Sequence, residues 1–175
     1  SVDPTNSSRP SSFIPPGASF KAFEKIFDKP TPNPVTFLEL TRNSGILAIG
    51  VSVLTVIIGT TAAYAFSRFK FPGRQAGMLG FIIVLMLPSV ATVTALFVLL
   101  NLVLGPTLRN SITGVGVAMV ATSLPFSIWN MKGFIDTIPK ELEEAAYIDG
   151  ATANQTFFRI MLPLALPGLA VTALL

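Results

Sequence analysis

The chain has 175 residues, 51% of them hydrophobic and only 12% charged, with a formal net charge of +3. That balance excludes an ordinary water-soluble domain, and the basic residues stand singly rather than in the cluster a nucleic acid would require. Cysteine and histidine are absent, which removes disulfides, thiol metal sites and histidine acid–base chemistry within this chain.

Residues 1–17 are rich in Ser and Pro, most clearly in SSRPSSFIPPG, and read as irregular or extended chain. Phe20, Phe23, Ile26 and Phe27 recur at helical spacing and predict a short amphipathic helix. The run KPTPNP over 29–34 ends it. Residues 36–42 then lead into apolar sequence, so 45–175 reads as a membrane domain, and 1–44, one crossing away from the basic turn at Arg68–Arg74, as an extracytoplasmic segment.

No Asp, Glu, Lys or Arg occurs within 48–66, 75–108 or 110–131. A membrane span needs about 20 apolar residues, and each run qualifies once a few flanking residues are added. The expected spans are 45–66, 76–104 and 110–131, with another begun at 164–175. The first carries Gly45, Gly50, Ser52, Gly59 and the run Thr60 to Ala63, small residues that let helix backbones approach closely. Arg68, Lys70 and Arg74 follow around Pro72-Gly73 and argue for the cytoplasmic side. Pro88, in the middle of the second run, predicts a kink or break. Gly105-Pro106 predicts a short turn, Pro125 interrupts the third span, and Trp129 suits its cytoplasmic interface. Ser89, Thr92, Thr94 and Asn101 are candidates to line a polar translocation path. The competing reading is that they bond back to their own helix.

The polar segment 132–163 returns the chain to the side of Arg68. Pro139 suits the start of a helix. Glu141, Glu143 and Glu144 complement the positive end of its dipole. Leu142, Ala145 and Ala146, with Ile148 at the edge, form an apolar strip. Gly150 can adopt the left-handed conformation that ends helices, and a bulky residue there is expected to push the flanking helices apart. Thr152 and Gln155 have capping-box spacing for a second helix, which Phe157, Phe158, Ile160 and Met161 make apolar and Leu162-Pro163 ends. Asp136 and Arg159 read as solvated flanking charges. The result is a helix–Gly–helix block. One alternative is a helix lying on the membrane surface, but such helices carry Lys and Arg on the polar face. This one carries Glu141, Glu143, Glu144 and Asp149.

Glu144, Ala145, Ala146, Gly150, Ile160, Leu162 and Pro163 fall at the spacing of the signature found in inner-membrane permeases of binding-protein-dependent ABC importers. The run ELEEAAYIDGA resembles the carbohydrate-type, maltose-permease-like branch. The resemblance implies an all-α integral membrane protein, a polytopic bundle with a cytoplasmic coupling loop, multi-pass in a prokaryotic plasma membrane. It also implies that the loop docks a cytoplasmic ATPase through Glu144, Ala145, Ala146, Asp149, Gly150, Ala151, Ile160, Leu162 and Pro163. A second permease subunit and an extracytoplasmic solute-binding protein are the other implied protein partners, with membrane lipid around the spans and no nucleic acid. The chain would bind no cofactor of its own. It has no phosphate-binding Gly-Lys-Ser/Thr loop and no Ser/His/Asp set, so ATP and magnesium would be used by the partner. The chain opens on Ser1 and stops at Leu175 inside an apolar run, which reads as a fragment covering the second to fourth spans of such a permease, with the fifth begun. Importers of polyamines, peptides or oxoanions, and a non-ABC channel or scaffold, are the rival readings.

Overall fold

The computed structural model describes residue 27 and residues 35–109 and 111–174. The irregular stretch 1–17, the breaker at 29–34 and all of the short helix over 20–27 except Phe27 lie outside the described residues. Among the described residues every regular element is helical, as the spacing of apolar residues demands.

Contacts divide the chain into two units, Ser1–Ile46 and Leu47–Leu175. In the first, Phe27 meets Phe37 edge-on, with ring centroids 4.9 Å apart. A reciprocal capping box opens helix α1 (Phe37–Arg68). The Glu39 N–H donates to Thr36 Oγ1 at 3.3 Å, and the Thr36 N–H donates to Glu39 Oε2 at 3.0 Å. This box starts the helix at Phe37, well before the span expected from residue 45. Hydropathy marks where a helix enters apolar surroundings, not where its hydrogen bonding begins.

In the second unit, α1 is followed by α2 (Arg74–Met86), α3 (Ser89–Arg109) and α4 (Ile112–Thr137). The expected 76–104 span is two shorter helices. Leu87 is extended (φ −70°, ψ 139°) just before Pro88, the conformation that a following proline imposes. Gly105 (φ 68°, ψ 175°) kinks α3, at the turn expected from Gly105-Pro106. Pro125 is buried inside α4 without breaking it. One missing N–H is tolerated where neighbouring turns hold the helix. The helix also continues past residue 131 to Thr137, so Lys132 and Asp136 are helical rather than loop residues. By length and composition α1 and α4 can each cross a membrane. A third crossing exists if Ala153–Leu164 and Leu166–Leu174, bent by 69°, count as one broken span.

Small residues set the crossings, but only some of those expected. A Cβ on Gly59 of α1 would lie 3.1 Å from the Ser127 Cβ of α4, whereas Gly45 and Gly50 have open space beside them. The Ser127 hydroxyl donates to the Thr55 carbonyl at 3.4 Å across the same crossing. A Cβ on Gly168 would approach the Phe134 ring to 2.6 Å, which places the last helix tightly on α4. The apolar core lies at the loop end of α1 and α4. It consists of Ala63, Tyr64, Met131, Ile135, Ile138, Met161 and Ala165, with Phe157 and Leu169 packed against it.

Candidate functional site

The segment after α4 is two short helices joined at a glycine. Helix α5 (Glu141–Ile148) begins two residues after Pro139, and the Pro139 and Lys140 carbonyls accept from the N–H groups of Leu142, Glu143 and Glu144 at 3.0–3.4 Å. Its three glutamates sit in the first turn, where the helix dipole favours them. Its end is a Schellman motif. The Ala151 N–H reaches back to the Ala146 carbonyl at 2.9 Å and the Gly150 N–H to the Tyr147 carbonyl at 3.1 Å. Gly150 itself is at φ 84°.

Helix α6 (Ala153–Leu164) opens with the expected capping box. The Gln155 N–H donates to Thr152 Oγ1 at 3.3 Å, and the Thr152 N–H donates to Gln155 Oε1 at 2.8 Å. It does not stop at Leu162-Pro163. Phe157–Met161 forms a π-helical turn, helical geometry resumes over Leu162–Leu164, and the bend falls at Ala165 before α7 (Leu166–Leu174). The wider π turn bonds the Leu162 N–H to the Phe157 carbonyl five residues back. That spacing opens the helix just before the proline ring, which would otherwise clash with the preceding turn. Pro167 sits in the first turn of α7, where its missing donor is harmless.

Of the expected apolar strip of α5, only Ala146 packs inward. The buried residues are Glu143 and Ala146, three apart on one face. Leu142 and Ile148 are exposed, Ile148 at 86%. What turns the helix is a polar network. Glu143 Oε1 pairs with Arg68 Nε. Glu143 Oε2 accepts from the Tyr64 hydroxyl at 2.9 Å. Arg68 Nη2 donates to the Ile138 carbonyl at 2.8 Å and Nη1 to Ser67 Oγ at 3.3 Å. Ser67 Oγ in turn donates to Asp136 Oδ1 at 2.6 Å, and Lys132 pairs with the other oxygen of Asp136. Arg68 is therefore more than a topology determinant, and Asp136 is not a free solvated charge. The Asp136–Lys132 spacing of four on a helix was a readable signal, whereas the Arg68–Glu143 pair spans 75 residues and had none.

The face of α5 opposite this network carries Glu144 and Ala145, and with Asp149 and Gly150 they are exposed; so is Pro163. Ala151, Ile160 and Leu162 are half-buried. Ala146 is packed inward, so it sets the seat of the helix. From α6, Phe157 meets Tyr64 edge-on at 4.9 Å and Met161 is buried in the core. The loop is thus bonded to α1 on one side and open on the other.

The candidate path residues lie apart from this site on α3. The Thr92 hydroxyl donates to the Pro88 carbonyl at 3.2 Å and the Asn101 amide to the Phe97 carbonyl at 2.8 Å. Thr94 lines a shallow groove with Val98 and Leu102. Ser89 opens the helix, and its side chain lies outside the described residues. A different groove, of about 500 Å³ between α1, α4 and α7, is lined by Ser52, Thr55, Ser123, Ser127 and Thr172. Several of these hydroxyls bond to backbone, Ser52 to the Ala173 carbonyl at 2.8 Å and Thr172 to the Gly168 carbonyl at 2.8 Å.

The chain is 38% identical over 152 residues to the maltodextrin transport system permease protein MdxG of Bacillus subtilis (strain 168), covering 87% of this chain and 52% of that protein. It is 33% identical over 174 residues to the galactooligosaccharides transport system permease protein GanQ of the same organism, covering 99% and 60%. It is 32% identical over 175 residues to the trehalose transport system permease protein SugB of Mycobacterium tuberculosis (strain CDC 1551 / Oshkosh), covering 100% and 61%. It therefore spans between half and two thirds of the length of these relatives. Residues 55–175 match the model of one family, and that match includes the helix–Gly–helix loop and its seat on α1 and α4. The chain belongs to the family of binding-protein-dependent transport system inner membrane components.

Proposed function

We propose that the full-length protein is the membrane-spanning permease subunit of an ATP-driven importer for oligosaccharides or related sugars. An external solute-binding protein would deliver the solute. A second permease subunit would complete the path, and cytoplasmic ATPase subunits, using ATP and magnesium, would grip the α5–α6 loop as a coupling loop. One observation carries the reading. In a member of this family, an acidic helix presents Glu144 and Ala145 outward while its other face is fastened to a candidate membrane span. The sugar class is supported by the relatives, which are named for maltodextrin, galactooligosaccharide and trehalose transport. Of the candidate path residues Ser89, Thr92, Thr94 and Asn101, Thr92 and Asn101 bond back to carbonyls of their own helix.

Alternation between two states needs a partner that binds them unequally. Swinging a population from 1:99 to 99:1 takes about 5.5 kcal/mol, more than one short helix face supplies. Nucleotide binding and the rest of the ATPase interface would contribute the remainder.

The reading fixes the sidedness of the chain. The Arg68–Arg74 turn and the loop should be cytoplasmic, with residues 1–41 and 105–109 outside. The chain has no cysteine, so single cysteines can be introduced without background. In sealed cells that lack an outer barrier, an impermeant thiol reagent is expected to label Ser12→Cys and not Asn154→Cys. Labelling at Asn154→Cys would refute the orientation and the docking that depends on it.

A further inference from the structure

We propose that Arg68 and Glu143 are positioning residues that make α5 move as one body with the loop ends of α1 and α4. This rests on the proposed docking of an ATPase on α5. The two side chains are 7% and 8% exposed. Both carboxylate oxygens are engaged, one by Arg68 Nε and the other by the Tyr64 hydroxyl at 2.9 Å. The guanidinium continues to the Ile138 carbonyl at 2.8 Å, in the segment joining α4 to α5, and to Ser67 Oγ at 3.3 Å. Ser67 passes the chain of bonds to Asp136 of α4 at 2.6 Å. The network therefore starts on α5, crosses α1 and ends on α4.

The pair is not needed to explain folding. A buried ion pair is weak evidence for stability, because well-packed apolar groups often do as well. What a fully engaged pair supplies is register. Helix α5 has eight residues, and apart from Glu143 only Ala146 is buried. Sliding or turning α5 against α1 would leave a charge buried and unpaired, so displacement of α5 reaches α1 directly instead of being absorbed by loop bending. Neither Arg68 nor Glu143 lies on the outer face, so weakening the pair should loosen transmission while leaving the partner's grip.

The test uses the full-length permease reconstituted with its ATPase, carrying one environment-sensitive fluorophore on Leu54→Cys, an exposed position of α1. The readout is the ATP-induced change at that probe, beside ATPase retention and hydrolysis rate. Couplings between sites are typically about 5- to 150-fold. Glu143→Gln and Arg68→Ala are each expected to reduce the probe response per ATP hydrolysed about tenfold, within that range, with the ATPase still bound and active. The conservative variant Arg68→Lys, which keeps a positively charged donor beside Glu143, is expected to recover much of the response lost in Arg68→Ala. The proposal is overturned if Glu143→Gln and Arg68→Ala respond like the native chain, if Glu143→Gln releases the ATPase, or if Arg68→Lys responds no better than Arg68→Ala. Failure of the underlying reading looks different: the native chain would retain no ATPase and show no response to ATP.

Discussion

Glu144→Lys is expected to release the partner ATPase from the full-length protein while the chain still inserts into membranes. Glu144 is exposed on the first turn of α5, beside Ala145 and away from the buried Glu143–Ala146 face. It takes part in neither ion pair found among the described residues. On the proposed account its carboxylate meets a basic group of the ATPase in a desolvated contact, and the small Ala145 lets the two surfaces approach. Truncating one partner of such a pair costs about 2–5 kcal/mol, which is from roughly 30-fold to several thousand-fold in affinity at about 1.4 kcal/mol per decade. Reversing the charge should do no less. Co-purification of the ATPase and ATP-driven uptake measure it. Unchanged retention and unchanged uptake would remove Glu144 from the interface.

The second large effect is expected at Gly150. Its φ of 84° is required by the Schellman end of α5. A Cβ there would meet nothing within 4 Å, so the penalty on an alanine is conformational rather than a clash. The left-handed region costs a residue with a Cβ about 1–2 kcal/mol. It tolerates Asn better and β-branched residues worse. The order of loss in thermal stability and in uptake is therefore Gly150→Asn least, Gly150→Ala next and Gly150→Val most. Native stability and native uptake in both Gly150→Ala and Gly150→Val would show that backbone strain at this position is not a constraint.

Local chemistry made much of the loop legible. Thr152 and Gln155 announce their capping box by spacing alone, and Gly150 announces its helix end, because each bond closes within a few residues. Pro88 and Gly105 announce breaks for the same reason. The element ends were less legible. Nothing in the hydropathy of α1 says that Thr36 and Glu39 cap it, and nothing in Pro163 says that a π turn ahead of it will carry the helix on. Least legible was which side of α5 faces in. The sequence grouped Leu142, Ala145 and Ala146 in one strip, yet Ala146 turns inward with Glu143, a choice made by Arg68 and Tyr64, more than seventy residues earlier. A buried carboxylate looks like any other glutamate until its distant partner is placed beside it.

Photo-crosslinking from the outer face of α5 tests most directly whether that face meets a cytoplasmic ATPase. A benzophenone amino acid placed at Ala145 or at Ile148, which is 86% exposed, is compared with one at Leu79, 59% exposed on α2. Irradiation of membranes holding the assembled full-length complex should give an ATPase adduct from Ala145 and Ile148 and none from Leu79. Lipid adducts alone from Ala145 and Ile148, or an ATPase adduct from Leu79 as strong as theirs, would contradict the account.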